Sequence, residues 1–385
     1  MTKKLYYEDS HLYKFDATVL SCEPAGERFA VVLDQTAFFP EGGGQSADTG
    51  ILADAHVLDV QEKDKKILHY TDKPVPVGQR VTGTLDAAER FRKMQNHSGE
   101  HIVSGIAHSL FGCDNVGFHL GDGDVTVDYN TVLSREDLNR IEELSNKTVA
   151  DNLDIRTEFP DADKLSSLNY RSKLELTQDV RIVTIGDIDC CACCAPHVVK
   201  TGEIGCIKLL DFEHYKGGVR IHLLCGSDAM QDYRAKYENI QRISALLCVP
   251  QTHTADAVEQ MQERLKNKEY ELNVLRSRLA ESALKSAEHF VNTLCFFADA
   301  QCDMDSLRHA VNAGLNEKEI CAGFLPAENG FRYCIGARNT DLRKASKEIN
   351  TALQGRGGGQ PAMIQGTAAA DRESILTFFQ HWDAK

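Results

Sequence analysis

No run in this chain approaches the ~18 consecutive apolar residues of a membrane span, so a membrane-embedded function is not expected. The opening Met1-Thr-Lys-Lys-Leu-Tyr-Tyr-Glu carries lysines with no apolar core behind them, which is not the pattern of a secretory signal. Without a secretory context the thirteen cysteines read as reduced thiols available to metals, and the expected compartment is the cytoplasm. An excess of positive charge is missing too. The net charge of −14 argues against a surface coated for nonspecific nucleic-acid binding. One stretch runs the other way: Arg332, Arg338, Arg343, Lys344, Lys347 and Arg356 face only Asp341 and Glu348 between positions 332 and 356. Such a patch suits a polyanion, or is simply a solvated surface.

What is present is the make-up of a globular chain, 42% apolar and 26% charged, long enough for two to four domains. Its most informative stretch is His97-Ser-Gly-Glu-His101. Phe91, Met94, Ile102, Ile106 and Leu110 recur at helical spacing around it, predicting a helix over 90–110 that begins near Ala87. Residues four apart on a helix stand about 5–6 Å from each other, so His97 and His101 offer two imidazoles to one metal ion. A solvated His pair is the plain alternative. Glu100, between them, is either a base or a group turned away from the pair, and helical geometry favours the latter.

Residues 1–88 read as short strands broken by polar turns, a β-barrel-like domain, with Phe29–Leu33, His56–Val60 and Lys66–Tyr70 as the clearest runs. Among them lies Asp34-Gln-Thr-Ala-Phe-Phe-Pro-Glu-Gly-Gly-Gly-Gln45. Gly42, Gly43 and Gly44 permit positive φ and close approach of a ligand, although no strand-loop-helix pattern makes this a phosphate loop. Residues 89–230 mix strands and helices and read as an α/β sandwich. From 231 to 290 the chain turns helical: Val258, Met261, Leu265, Lys268, Leu272, Leu275 and Leu279 step by threes and fours, a heptad seam with one polar interruption. Residues 291–385 form a small α/β unit containing Gly355-Arg-Gly-Gly-Gly-Gln-Pro361. The whole is an α+β protein of four parts.

A second cluster decides the reading of the His pair. Asp189-Cys-Cys-Ala-Cys-Cys-Ala-Pro-His197 offers four thiols and an imidazole in nine residues. A Cys₄ site would need another distant Cys pair of like spacing, and there is none. Cys193 and His197 added to His97 and His101 make a His₃Cys set that zinc accepts.

These residues resemble a family. His97-x-x-x-His101 with Cys193-x-x-x-His197 is similar to the editing domain shared by alanyl- and threonyl-tRNA synthetases. Phe39-Pro-Glu-Gly-Gly-Gly-Gln45 with Asp48-Thr-Gly50 resembles the glycine motif of the alanyl type. Asn96–His101, Val180–Gly186 and Thr201-Gly-Glu-Ile204 extend the match in order, and the helical segment and Gly355–Pro361 resemble the C-terminal part of alanyl-tRNA synthetase. The pattern as a whole looks like a free-standing alanyl-tRNA editing protein of the long AlaX type. It departs from that pattern where Cys193-Cys-Ala-Pro-His197 replaces the usual Cys-Gly-Gly-Thr-His, and the extra thiols leave open whether Cys193 or a neighbouring cysteine is the ligand.

The resemblance implies hydrolysis of the ester between tRNA(Ala) and wrongly attached serine, or glycine. It implies one Zn²⁺ per chain held by His97, His101, Cys193 and His197. Around it stand Thr36, Gln45 and Glu100; Thr36 and Gln45, flanking the glycine motif, are the candidates for reading the serine hydroxyl, the alternative being that both only fix the loop. Substrate contacts fall on Gly42, Gly43 and Gly44, and on Arg356, Gly357, Gly358 and Gly359. The expected partners are mischarged tRNA(Ala) and a second copy of the chain joined through the seam or the C-terminal unit. Two other readings stay open. His97-x-x-Glu100-His101 also fits an inverted zinc-peptidase pattern, and the chain could be a tRNA-binding module without activity.

Overall fold

The computed structural model describes residues 2–121, 125–172 and 180–382. It divides into two compact units, Met1–Asn239 and Ile240–Lys385, the division falling within the helix Gly226–Leu247. Both mix helices with largely antiparallel sheets, an α+β arrangement.

The first unit begins with six strands in the order Lys14–Ala25, Arg28–Leu33, Lys66–Thr71, Ala55–Lys63, Gly50–Leu52 and Arg80–Leu85, closed into a barrel. Closure comes from the pairing of the first strand with the last, Lys14 opposite Thr84. Alternation fills the interior: Ala55 and Val57 point in, His56 and Leu58 point out, and a register shift between Val57 and Asp59 turns Val60 inward. Val31, Leu33, Val60 and Ile67 make a core with no solvent contact.

Helix α1 (Ala87–Phe111) follows the barrel directly. Asp86 caps it by accepting the Glu89 amide, and Gly112, at φ +64°, ends it in the left-handed conformation that a residue with Cβ rarely takes. It packs on an antiparallel sheet ordered Ile207–Tyr215, Gly218–Cys225, Val125–Tyr129 and Asn115–Leu120, beside the helix Arg135–Ala150. The expected α/β sandwich is therefore α+β, because every pairing in this sheet is antiparallel. Two glycines let α1 sit close. A Cβ on Gly99 would lie 2.3 Å from Cys225 Sγ, and one on Gly105 2.3 Å from the Ile188 carbonyl. A three-stranded sheet of Ile155–Glu158, Ile182–Ile185 and Asp189–Ala192 carries Cys190 and Cys191, with Cys193 and Cys194 just beyond its last strand.

The second unit has a six-stranded sheet whose one parallel pair, Thr293–Phe297 with Ile320–Ala327, is bridged by the helix Met304–Gly314. Its core gathers Phe324, Tyr333, Phe379 and Trp382. The heptad seam lies on one 32-residue helix, Thr254–Lys285, where Met261, Leu265, Leu272, Leu275 and Leu279 are exposed.

Candidate metal centre and its cavity

Helix α1 is fixed to the glycine motif by charge. Arg90 gives its Nε to both oxygens of Asp48, at 3.0 and 2.9 Å, and its Nη2 to the Ala37 carbonyl at 2.6 Å. Asp48 also accepts the Phe39 amide at 2.7 Å. The two side chains are 0% and 2% exposed, and a pair so buried persists only when every charge has a partner. One turn on, Lys93 Nζ donates to the Ala47 carbonyl at 2.6 Å. One further turn brings His97 against Gln45.

Gln45 reaches it through a tight loop. Gly42 and Gln45 exchange backbone hydrogen bonds, both 3.0 Å, across Gly43 and Gly44, whose φ values are +63° and +84°. A Cβ on Gly44 would stand 2.5 Å from the Phe118 carbonyl, so this position takes only glycine.

His97, His101, Cys193 and His197 converge, their ligand atoms all within 4.8 Å of one another. His97 Nε2 is 3.5 Å and His197 Nε2 3.4 Å from Cys193 Sγ. Each imidazole turns its other nitrogen outward to a buried partner. His97 Nδ1 meets Gln45 Oε1 at 2.9 Å, His101 Nδ1 meets Asp189 Oδ2 at 2.8 Å, and His197 Nδ1 meets Ser98 Oγ at 3.0 Å. Such outer partners fix ring orientation and leave Nε2 for a cation. Asp189 is itself held by Arg171 Nε at 2.8 Å. Three imidazole nitrogens and one sulfur fit zinc by composition.

The electrostatics agree. Burial opposes a charged Cys193, yet His97 and His197, with hydrogen bonds from His101 and His197, hold its thiol well below the usual range. Burial pushes Cys191 and Cys194 up to about 11 and raises Cys190 as well. Of the four clustered thiols, Cys193 is thus the one poised as thiolate. Burial works against an imidazolium at His101, but Asp189 and the neighbouring thiols hold it well above its usual value, while burial drives His197 down to about 3. Cys191 stands in another group with His101 and Asp189, and Cys194 lies against Gly42 and Gly43.

A cavity of about 1140 Å³ opens beside this group, lined among others by Gly43, Gly44, His97, Glu100 and His101. Glu100 corrects the expectation that it turns away. It is buried, with Oε1 accepting from Ser104 Oγ and from Asn115 Nδ2. Helix α1 is covered on both faces, so even its polar positions lack solvent. Gln45 does not line the cavity, and its Nε2 is buried with no partner among the described residues. Thr36 is not brought to the cavity: its hydroxyl lies 2.8 Å from His69 Nε2 and accepts the Phe38 amide at 3.1 Å. Gly42 supports the loop from behind, beside Cys194. Arg356, Gly357, Gly358 and Gly359 belong to the second unit, on the exposed edge strand Arg356–Gln360. There Asn350 binds the Gly357 carbonyl at 2.9 Å.

Sequence reasoning missed Asp189, Ser98, Arg171 and the Arg90–Asp48 pair. Asp189 carried a usable signal, an acid opening the cysteine run, since a ligating imidazole needs an acceptor for its second nitrogen.

Residues 180–244 match the family described as threonyl and alanyl tRNA synthetase second additional domain, and residues 2–89 match tRNA synthetases class II (A). The alanine–tRNA ligase of Natronomonas pharaonis is 32% identical over 81% of this chain and 36% of its own length. That of Halobacterium salinarum is 30% identical over 87% of this chain and 38% of its own. That of Pyrococcus furiosus is 32% identical over 95% and 42%. The chain thus spans about two fifths of the length of these relatives.

Proposed function

We propose, from the premise that this chain is alanyl-tRNA-synthetase-like in its editing and C-terminal parts, that it deacylates mischarged Ser-tRNA(Ala) in trans. Gly-tRNA(Ala) is its second substrate. The observation that carries this reading is the His₃Cys group beside a cavity, each imidazole locked by an outer partner. His97, His101, Cys193 and His197 would hold one Zn²⁺. When bound, the ion supplies a Lewis acid for an ester carbonyl or for water.

The remaining chemistry is assigned to the chain's own groups. Glu100 lines the cavity with Oε2 outside any hydrogen bond among the described residues, and it takes the proton of the attacking water. Gln45 does not line the cavity; its Oε1 holds the His97 ring, so it positions that imidazole. An alanine pocket cannot strongly reject an added hydroxyl, so discrimination has to come from a second site that hydrogen-bonds it. Gln45 acts on selectivity only through His97 and the glycine loop. Thr36, its hydroxyl already given to His69, acts on selectivity only by fixing the segment that leads into the loop.

In the second unit, the side-chain-poor strand Arg356–Gln360 is offered to tRNA, with Arg343, Lys344 and Lys347 on the helix that packs against it. The exposed seam Met261–Leu279 is offered to a second chain. No helix among the described residues is long and apolar enough to cross a membrane.

The test is deacylation of Ser-, Ala- and Gly-tRNA(Ala) by the purified chain, with its zinc content. Loss of serine with alanine spared, at about one zinc per chain, supports the proposal. Intact esters throughout, with zinc bound, would turn the assignment to a binding module.

A further inference from the structure

One wall of the cavity holds a cation that the chemistry above does not use. Arg181 lines the cavity and is 6% exposed. Its Nη1 donates to the Cys193 carbonyl at 3.0 Å and the Ala195 carbonyl at 2.8 Å, and its Nε has no partner among the described residues. No carboxylate among the described residues pairs with it. The contrast within this unit is sharp: buried Arg90 has Asp48, and Arg171 has Asp189. Two neutral carbonyls satisfy part of a guanidinium's hydrogen bonding, and the nearest negative charge, the Cys193 thiolate, is a ligand of the proposed metal site rather than a paired carboxylate, so the guanidinium keeps capacity for a further anion.

The surroundings say what kind of anion would complete it. The Tyr7 ring lies 5.1 Å from the guanidinium, and Lys4 Nζ stands 5.7 Å from the same ring. Phe159 packs edge-on to Tyr7, with ring centroids 5.3 Å apart, and is itself 52% exposed at the mouth. A cation beside a pair of aromatic rings, one exposed, is the combination that binds single-stranded nucleic acid through phosphate and base. The cavity also exceeds the ~300–1,000 Å³ that drug-sized ligands fill, leaving room for a nucleotide next to an aminoacyl group.

We propose that Arg181 binds the last phosphodiester of the RNA strand entering the cavity, with Tyr7 and Phe159 packing against the terminal nucleotide. This rests on the reading of the substrate as a charged RNA end. It makes Arg181 a substrate-positioning residue.

The experiment uses the full chain with its metal content measured. Binding of the trinucleotide CCA is compared with binding of the same trinucleotide carrying an uncharged methylphosphonate at its last linkage. Arg181→Gln keeps donors for the two carbonyls and removes the charge; Arg181→Lys keeps the charge. A charge-assisted hydrogen bond supports a preference of about tenfold or more for the phosphodiester in the wild type. That preference should vanish in Arg181→Gln and survive in Arg181→Lys, with metal content unchanged in both. Should Arg181→Gln fail to fold, Phe159→Ala gives a second reading, weakening both trinucleotides alike while the phosphodiester preference persists. A wild type indifferent to the linkage overturns the proposal, as does an Arg181→Gln protein that loses affinity for both trinucleotides equally, since that marks a residue that only braces the Cys193–His197 loop. Wild-type deacylation separates the two ideas. A linkage preference lost in Arg181→Gln, in a chain that deacylates nothing, keeps the phosphate site and removes the hydrolase.

Discussion

Lowering the pH from 7 to 5 should destabilise the barrel by about 2 kcal/mol through a single imidazole. His69 is wholly buried among the barrel strands. Its Nδ1 lies 3.0 Å from the Val31 carbonyl, which can only accept, so the proton sits on Nδ1 and Nε2 receives the Thr36 hydroxyl at 2.8 Å. Burial pushes its pKa down to about 4, against the smaller pull of the Val31 carbonyl. In the unfolded chain the value is about 6.5. Between these limits the unfolded state binds a proton that the folded state refuses. Stability is therefore complete above pH ~6.5, falls as the pH drops, and levels off below ~4 after a loss of about 3 kcal/mol, of which about 2 is spent by pH 5. The sole tryptophan, Trp382, lies in the other unit, so its fluorescence would not report the change. Hydrogen exchange of Arg28–Leu33 and Lys66–Thr71 would. We expect protection there to fall about 2 kcal/mol further between pH 7 and 5 in the wild type than in His69→Gln. Equal falls in both proteins would refute the reasoning.

Four other outcomes are expected. Asp189→Asn removes the carboxylate that orients His101 and should weaken zinc retention about 10- to 100-fold in chelator competition; unchanged retention would deny Asp189 that role. Gly105→Ala sets a methyl 2.3 Å from the Ile188 carbonyl and should cost about 1–3 kcal/mol in urea unfolding, whereas a neutral result would mean that this turn yields freely. Asp48→Ala leaves Arg90 buried without a counter-charge and should cost about 3–5 kcal/mol, with much of it restored when Arg90 is also made Met. Leu265→Glu with Leu272→Glu should leave the fold intact and abolish any dimer seen by light scattering; a dimer that persists would place association elsewhere.

Helix α1 shows how far sequence reaches. Its extent is written in apolar spacing, while the Asp86 and Gly112 caps that fix its ends come from the structure. Spacing also assigns Glu100 to an outer face, and there the reading fails, because periodicity reports one buried side while both sides of α1 are covered. The ligand types were legible in two clusters. That they meet was not: the inference came from chemical complement and from likeness to a family. The outer partners are less visible still. Gln45 is 52 residues from His97 and Asp189 is 88 from His101, distances at which no local pattern operates. The heptad seam was plain as a pattern, yet a pattern of apolar residues names no partner.

The Arg90–Asp48 pair has a consequence for how this protein is inherited. By texture the sequence changes near residue 88, where strands give way to helix, and a designer of grafts would cut there. The cut would strand a guanidinium on one piece and a carboxylate on the other, each shaped for apolar surroundings and neither soluble in its own socket. Barrel and helix are thus one transferable block. Any scaffold that borrows the histidines must borrow, some fifty residues upstream, the aspartate that anchors their helix.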